Sequence, residues 1–245
     1  MSLRIAFSGK GGSGKTTLAA LTIKFFIERK LTPILAVDAD PNSNLNIALD
    51  LELTETIADV REEVLENKTD TRETKNEFVF RRINEILVES DKVDLLAMGR
   101  PEGPGCYCAI NHLLREYLSK ISRNYKVVVI DTEAGMEHLS RRTTDDLDIL
   151  FIVATIDPVS LTASFRIQDI TQKLKLKIKN KYLILNRFNS ASPAFEKFEK
   201  ESLNLLGTIP EDEELNSCWK EGGSIIKIEN SIAFQKLSEL LFKFI

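Results

Sequence analysis

Cysteine, histidine and tryptophan are scarce in this chain: its 245 residues hold three, two and one of them. Three cysteines are too few for a disulfide-stapled scaffold and suit thiols kept for metal binding or redox chemistry in a reducing compartment. Positive charge is not in excess. Against 33 Lys and Arg stand 37 Asp and Glu, a formal net charge of −4. That balance argues against nucleic acid as the main partner, because duplex binding leaves a basic footprint. No apolar run approaches the ~20 residues that span a bilayer, so no membrane partner is expected. The chain runs from Met1 straight into a short apolar stretch and a glycine loop, without a secretory signal, and a cytoplasmic location is expected. No repeat, low-complexity tract or linker divides it. A 43% hydrophobic content suffices for one sizeable domain over residues 1–245.

What is present is alternation. Apolar runs at Leu3–Phe7, Ile34–Val37, Val93–Ala97, Val127–Ile130, Ile149–Ala154, Tyr182–Leu185 and Leu206–Ile209 read as strands. Helical patterns at Leu18–Glu28, Thr56–Glu66, Phe78–Glu89, Ala109–Ile121 and Leu161–Leu174 lie between them. A further helix precedes Leu206, and a last one starts at Ile232. Unbroken runs such as Val127 to Ile130 are expected for strands covered on both faces. The βαβ order predicts an α/β fold with a doubly wound, mostly parallel sheet, whose ligands bind beyond the carboxyl ends of the strands. The terminal helix carries Lys236 and Lys243 opposed by Glu239, which fits packing on the core better than an interfacial helix.

The loop after the first strand reads Gly9-Lys10-Gly11-Gly12-Ser13-Gly14-Lys15-Thr16-Thr17. Gly9, Gly14, Lys15 and Thr16 have P-loop spacing, between a strand and a helix as the motif requires. Glycines let the backbone close around phosphate oxygens, and the helix start adds its positive dipole end. Lys15 is expected to reach the outer phosphates and Thr16 to ligate Mg2+. These residues together predict ATP or ADP as ligand.

Lys10 is a second lysine that a P-loop does not need. With Lys15 it makes the loop resemble the deviant Walker A motif of the MinD/ParA and nitrogenase iron-protein ATPases. The resemblance implies a homodimer that closes around ATP, with Lys10 crossing to the partner's phosphates. In Asp38-Ala39-Asp40-Pro41-Asn42 it places Asp40 at switch I, positioning the attacking water, and Asp38 near the Mg2+ shell. The apolar run ending in Asp131 has the Walker B pattern, in which the carboxylate supports Mg2+. The resemblance also implies that the Gly135 amide swings toward the γ-phosphate.

Where ParA-like chains carry proline this one has Glu133. The stretch Asp131-Thr132-Glu133-Ala134-Gly135-Met136-Glu137-His138 looks like switch II of the CooC-type ATPases, which assist nickel insertion into carbon monoxide dehydrogenase. His138 reads as a structural hydrogen-bonder sooner than a ligand. Cys106 and Cys108, in Gly103-Pro104-Gly105-Cys106-Tyr107-Cys108, strengthen that likeness. Two thiolates leave a tetrahedral site half filled, and a symmetric dimer supplies the other two. In the CooC-type family such pairs hold Ni2+ or Zn2+ at the dimer interface. Cys218 has no such partner and reads as a small apolar residue.

The class resemblance places base contacts at Asn186-Arg187 and Pro210-Glu211, which as bare sequence are equally ordinary loop residues. The reading is thus an Mg2+-dependent ATPase and maturation factor with a nickel-dependent client such as carbon monoxide dehydrogenase or acetyl-CoA synthase. Two alternatives stand beside it. An iron–sulfur electron carrier resembling the nitrogenase iron protein needs a cysteine near switch II, and none lies between Asp131 and Cys218. A ParA/MinD-type spatial switch sits poorly with the acidic balance and the cysteine pair.

Overall fold

The computed structural model describes residues 2–66, 73–100, 116–134, 146–174, 176–188 and 204–245. Seven strands, β1 (Leu3–Gly9), β2 (Ile34–Ala39), β3 (Val93–Ala97), β4 (Val127–Thr132), β5 (Asp146–Ala154), β6 (Lys177–Phe188) and β7 (Leu205–Pro210), form one sheet in the order β3-β2-β4-β1-β5-β6-β7. Every paired neighbour is parallel. The chain winds outward from β1 on one side, returns as β4 beside it, and continues on the other side. This is the predicted doubly wound α/β architecture.

Side chains of a strand alternate between faces, and both faces here are covered. Ile5, Phe7, Ile34, Ala36, Val127, Val129, Phe151 and Val153 pack against α1 (Lys15–Glu28), α2 (Leu45–Leu49), α6 (Glu213–Lys220) and α7 (Ile232–Leu241). Their neighbours Ala6, Leu35, Val37, Val128, Ile130, Leu150 and Ile152 meet α3 (Ile57–Leu65), α4 (Lys75–Ile86) and α5 (Pro158–Lys173) on the other side. The unbroken apolar runs follow from this double burial. α7 buries Ala233, Phe234, Leu237, Leu240 and Leu241 in the core, the packing role expected of it.

Boundaries differ from expectation where polar groups set them. α4 starts three residues earlier than its apolar pattern, because Thr74 and Glu77 form a capping box. It ends at Ile86, and the extended backbone of Leu87 after it lets Val88 bridge Leu95. β6 begins at Lys177, five residues before Tyr182, recruited by pairing with Asp146–Leu150 of β5. Its exposed lysines carry no apolar signal. Residues 116–121 are helical; the rest of the helix expected over 109–121, and the one expected before Leu206, lie outside the described residues.

Candidate phosphate-binding site

β1 occupies the middle of the sheet, and its last residue, Gly9, pairs with Val153. A Cβ there would stand 2.2 Å from the Val153 carbonyl oxygen, so glycine is what lets the strand turn at this point. Residues 10–14 fold back and deliver the chain into α1. Gly14 is its N-cap at φ 95°, a left-handed conformation, and a Cβ would fall 2.2 Å from Asn186 Nδ2. A glycine cap has no side chain to satisfy the first-turn N–H groups, and that turn holds no acidic residue. Those donors and the helix dipole are left for an anion.

Lys15 is 6% exposed and its Nζ donates to the Lys10 carbonyl at 3.4 Å. Thr16 Oγ1 donates to Asp131 Oδ2 at 2.5 Å. The other oxygen, Asp131 Oδ1, is buried and has no hydrogen-bond partner among the described residues. Burial pushes the Asp131 carboxyl up to about 7, only partly opposed by the Thr16 hydrogen bond, and nearby Asp38 adds to the rise. Asp38 is pushed up to about 6, again by burial first. Its two oxygens accept from the Asp40 and Leu45 N–H groups at 3.0 and 2.8 Å, fixing the loop after β2. Two buried carboxyls, one with an unsatisfied oxygen, fit a hard divalent cation. Among the described residues no group of three or more His, Cys, Asp or Glu could hold a metal. A threonine hydroxyl beside a carboxylate suits Mg2+, which takes few protein ligands and completes its shell with phosphate and water.

A cleft of about 710 Å³ opens above the loop, within the ~300–1,000 Å³ of small-molecule sites. Beyond the loop itself it is lined by Asp40, Asn42, Glu133, Arg187, Asn216 and Trp219. Asp40 Oδ1 accepts from the Asn42 N–H and side-chain amide, both at 2.9 Å. A larger cleft of about 1110 Å³, lined by Arg4, Arg123, Lys126 and Lys177, lies at the amino ends of the strands. It holds none of the predicted site residues, and parallel sheets bind ligands at the other end.

The backbone of Lys10 belongs to the phosphate loop, but its side chain does not turn into it. Its side chain is 44% exposed, and Nζ lies 3.9 Å from Asp157 at the start of α5. Asn186 donates to the Ser13 carbonyl at 2.8 Å and Arg187 to the Gly12 carbonyl at 3.4 Å, so both brace the loop backbone. Pro210 borders a crevice of only about 20 Å³ beside Leu215 and Trp219. Glu211 is exposed and its carboxyl accepts from the Asn216 amide at 3.4 Å. Cys106, Cys108, Gly135 and His138 lie outside the described residues. Cys218 is half-buried against the core, and burial raises its thiol.

Sequence reasoning passed over Asp157, Asp212, Asn216, Trp219 and Lys220. Asp212 had a signal: an Asp ahead of Glu213 and Glu214 is a helix start. Its carboxyl accepts from the Glu214 and Leu215 N–H groups, capping α6, and from Ser231 Oγ and the Ala233 N–H, tying that helix to α7.

A strand, a glycine loop opening a helix, a buried lysine and a threonine–aspartate pair at the carboxyl end of a parallel sheet define a P-loop ATPase. Comparison with known proteins agrees. The profile of the family described as AAA domain matches residues 4–184, and the chain belongs to that family. It is 39% identical over 251 residues to an uncharacterized ATP-binding protein of Methanocaldococcus jannaschii, with 98% of each chain covered. It is 30% identical over 240 residues to the carbon monoxide dehydrogenase accessory protein CooC of Rhodospirillum rubrum, covering 90% of this chain and 88% of that one. Among solved structures it resembles a ParA family ATPase from Chlorobium tepidum, with a TM-score of 0.73, 20% identity and 98% of each chain covered. It also resembles the septum site-determining protein MinD of Pyrococcus horikoshii in complex with Mg-ADP, with a TM-score of 0.68, 23% identity and 99% and 97% covered. The fold is that of MinD and ParA.

Proposed function

We propose that the protein binds ATP with Mg2+, hydrolyses it as a cytoplasmic homodimer, and uses the cycle to help load nickel into a client such as carbon monoxide dehydrogenase. The observation that carries the nucleotide half is the unsatisfied Asp131 Oδ1 beside Thr16, below an uncapped helix start. Gly9 to Thr17 would wrap the phosphates, with Lys15 as counter-charge. Thr16 and Asp131 would hold Mg2+, which neutralises charge on the outer phosphates. Asp40 would orient the attacking water, Asp38 would fix the loop that carries Asp40, and the Gly135 amide would meet the γ-phosphate.

The accessory half draws on the CooC relative and on Cys106 and Cys108. Nickel here is cargo. Thiolates bind it with proton release, and two per chain in a four-coordinate site give one metal per two chains. Equilibrium dialysis against Ni2+ or Zn2+ under anaerobic conditions, with sedimentation, tests this. The expected result is one metal per dimer and metal-promoted dimerisation. Both should be lost in Cys106→Ser/Cys108→Ser while ATP binding is retained. One metal per monomer would sink the shared site. The likeness of fold also favours a second reading, a ParA/MinD-type switch, in which the cysteine pair binds no metal and its replacement changes nothing.

A further inference from the structure

Thr16 and Thr17 stand side by side on the first turn of α1 and line the same cleft, yet their hydroxyls are bonded with opposite polarity. Thr16 Oγ1 donates to Asp131, which leaves its lone pairs for a cation. Thr17 Oγ1 lies 2.9 Å from Trp219 Nε1. An indole nitrogen donates and cannot accept, so Thr17 is the acceptor and its own proton is left over. A threonine within a helix commonly gives that proton to the carbonyl four residues back. Here that carbonyl belongs to Ser13 and already accepts from Asn186. A carbonyl keeps a second lone pair, but Thr17 lines the cleft, and an anionic oxygen bound there is the stronger acceptor for its proton.

We propose that Trp219 is a positioning residue for the nucleotide: its indole N–H sets the Thr17 hydroxyl so that Thr17 donates to a phosphate oxygen. The inference rests on the nucleotide reading above. Trp219 is suited to the task because it is half-buried against the core and sits on α6, whose start is held by Asp212. One hydrogen bond thus joins a helix near the end of the chain to the phosphate loop, across 202 residues of sequence.

Calorimetric titration with Mg-ADP tests it in the parent, Trp219→Phe, Thr17→Val and Thr17→Ser. Trp219→Phe keeps a ring against the core and loses the N–H; it should weaken ADP binding about tenfold, the scale of one hydrogen bond to a charged group. Thr17→Val should lose at least as much, and Thr17→Ser should bind nearly as the parent does. The double variant Trp219→Phe/Thr17→Val should be no weaker than Thr17→Val alone, because Trp219 acts through that hydroxyl. The chain's one tryptophan supplies an independent signal. Its emission should shift when ADP binds the parent, and shift less in Thr17→Val saturated with ADP. Parental affinity in Trp219→Phe, losses that multiply in the double variant, or an undiminished emission shift in Thr17→Val would each overturn the role of Trp219 and leave the nucleotide reading standing. A parent chain that fails to bind ADP overturns both.

Discussion

Asp131 is a carboxyl in a place that favours its proton. It is 1% exposed, and among the described residues one oxygen accepts from Thr16 and the other has no hydrogen-bond partner. Its folded pKa, about 7, stands above the ordinary 3.8. The stability that goes with holding the proton is therefore complete below about 3.8 and lost as pH rises through about 7. Freed of Mg2+ and nucleotide, the protein is expected to melt at lower temperature at pH 8 than at pH 5. Asp131→Asn removes most of that slope; the remainder belongs to Asp38, pushed up to about 6. At pH 8 the variant should be more stable than the parent by about 1–3 kcal/mol, since the buried charge at position 131 is gone, while ATP hydrolysis falls roughly a hundredfold. Melting scans at the two pH values check it. A variant less stable than the parent at pH 8 would show that burial is not what raises Asp131.

The element that closes the cleft is α6, and one carboxyl holds it. Burial alone would raise Asp212, but hydrogen bonds from Ser231 and from the N–H groups of Ala233, Leu215 and Glu214 together keep it below the ordinary 3.8. A depressed pKa means stability that is present above 3.8 and lost as pH falls through the lower folded value. Asp212→Ala leaves the start of α6 without its capping acceptor and takes from the start of α7 the acceptor of the Ala233 N–H, with Ser231 still capping Phe234, and should cost about 2–4 kcal/mol at neutral pH. The gap between variant and parent should narrow as the solution is acidified below about pH 4. Urea titrations across that range measure it, and a gap that is constant with pH would mean the charge on Asp212 contributes nothing. α6 also marks how far the sequence could be read. The phosphate loop is a local spacing between strand and helix, and the sheet announces itself through unbroken apolar runs, so both were legible. That Trp219 reaches Thr17, or that Lys10 rests near Asp157, depends on how distant elements pack. No local pattern encodes it. Asn186 shows the same limit: its place just past the apolar run Tyr182–Leu185 was foreseen, whereas its inclusion in β6 and its bond to Ser13 were not.

For the molecule as a whole, the question is which subunit Lys10 serves. Within one chain it has only a weak hold. The 3.9 Å approach to Asp157 joins two side chains that are 44% and 45% exposed, a kind of pair that contributes ~0–1 kcal/mol. Lys15, 6% exposed, already supplies the loop with a buried counter-charge. A lysine whose side chain stands outside its own loop and is lightly held is suited to reach across a two-fold interface to the partner's phosphates. Lys10→Ala should then leave monomer affinity for ATP largely intact and abolish hydrolysis, as loss of an arginine finger does. Asp40→Asn should bind ATP without hydrolysing it. Neither variant is active alone, but their mixture need not be silent. In a mixed dimer the Lys10→Ala chain keeps its own Asp40 and receives Lys10 from its partner, so one of two sites is whole. Random exchange at equal amounts makes half the dimers mixed, and roughly a quarter of the parent's specific activity should return if the lysine acts across the interface. If Lys10 serves its own chain, every site in the mixture lacks one group. Steady-state phosphate release after pre-mixing would then stay at the background of the separate variants.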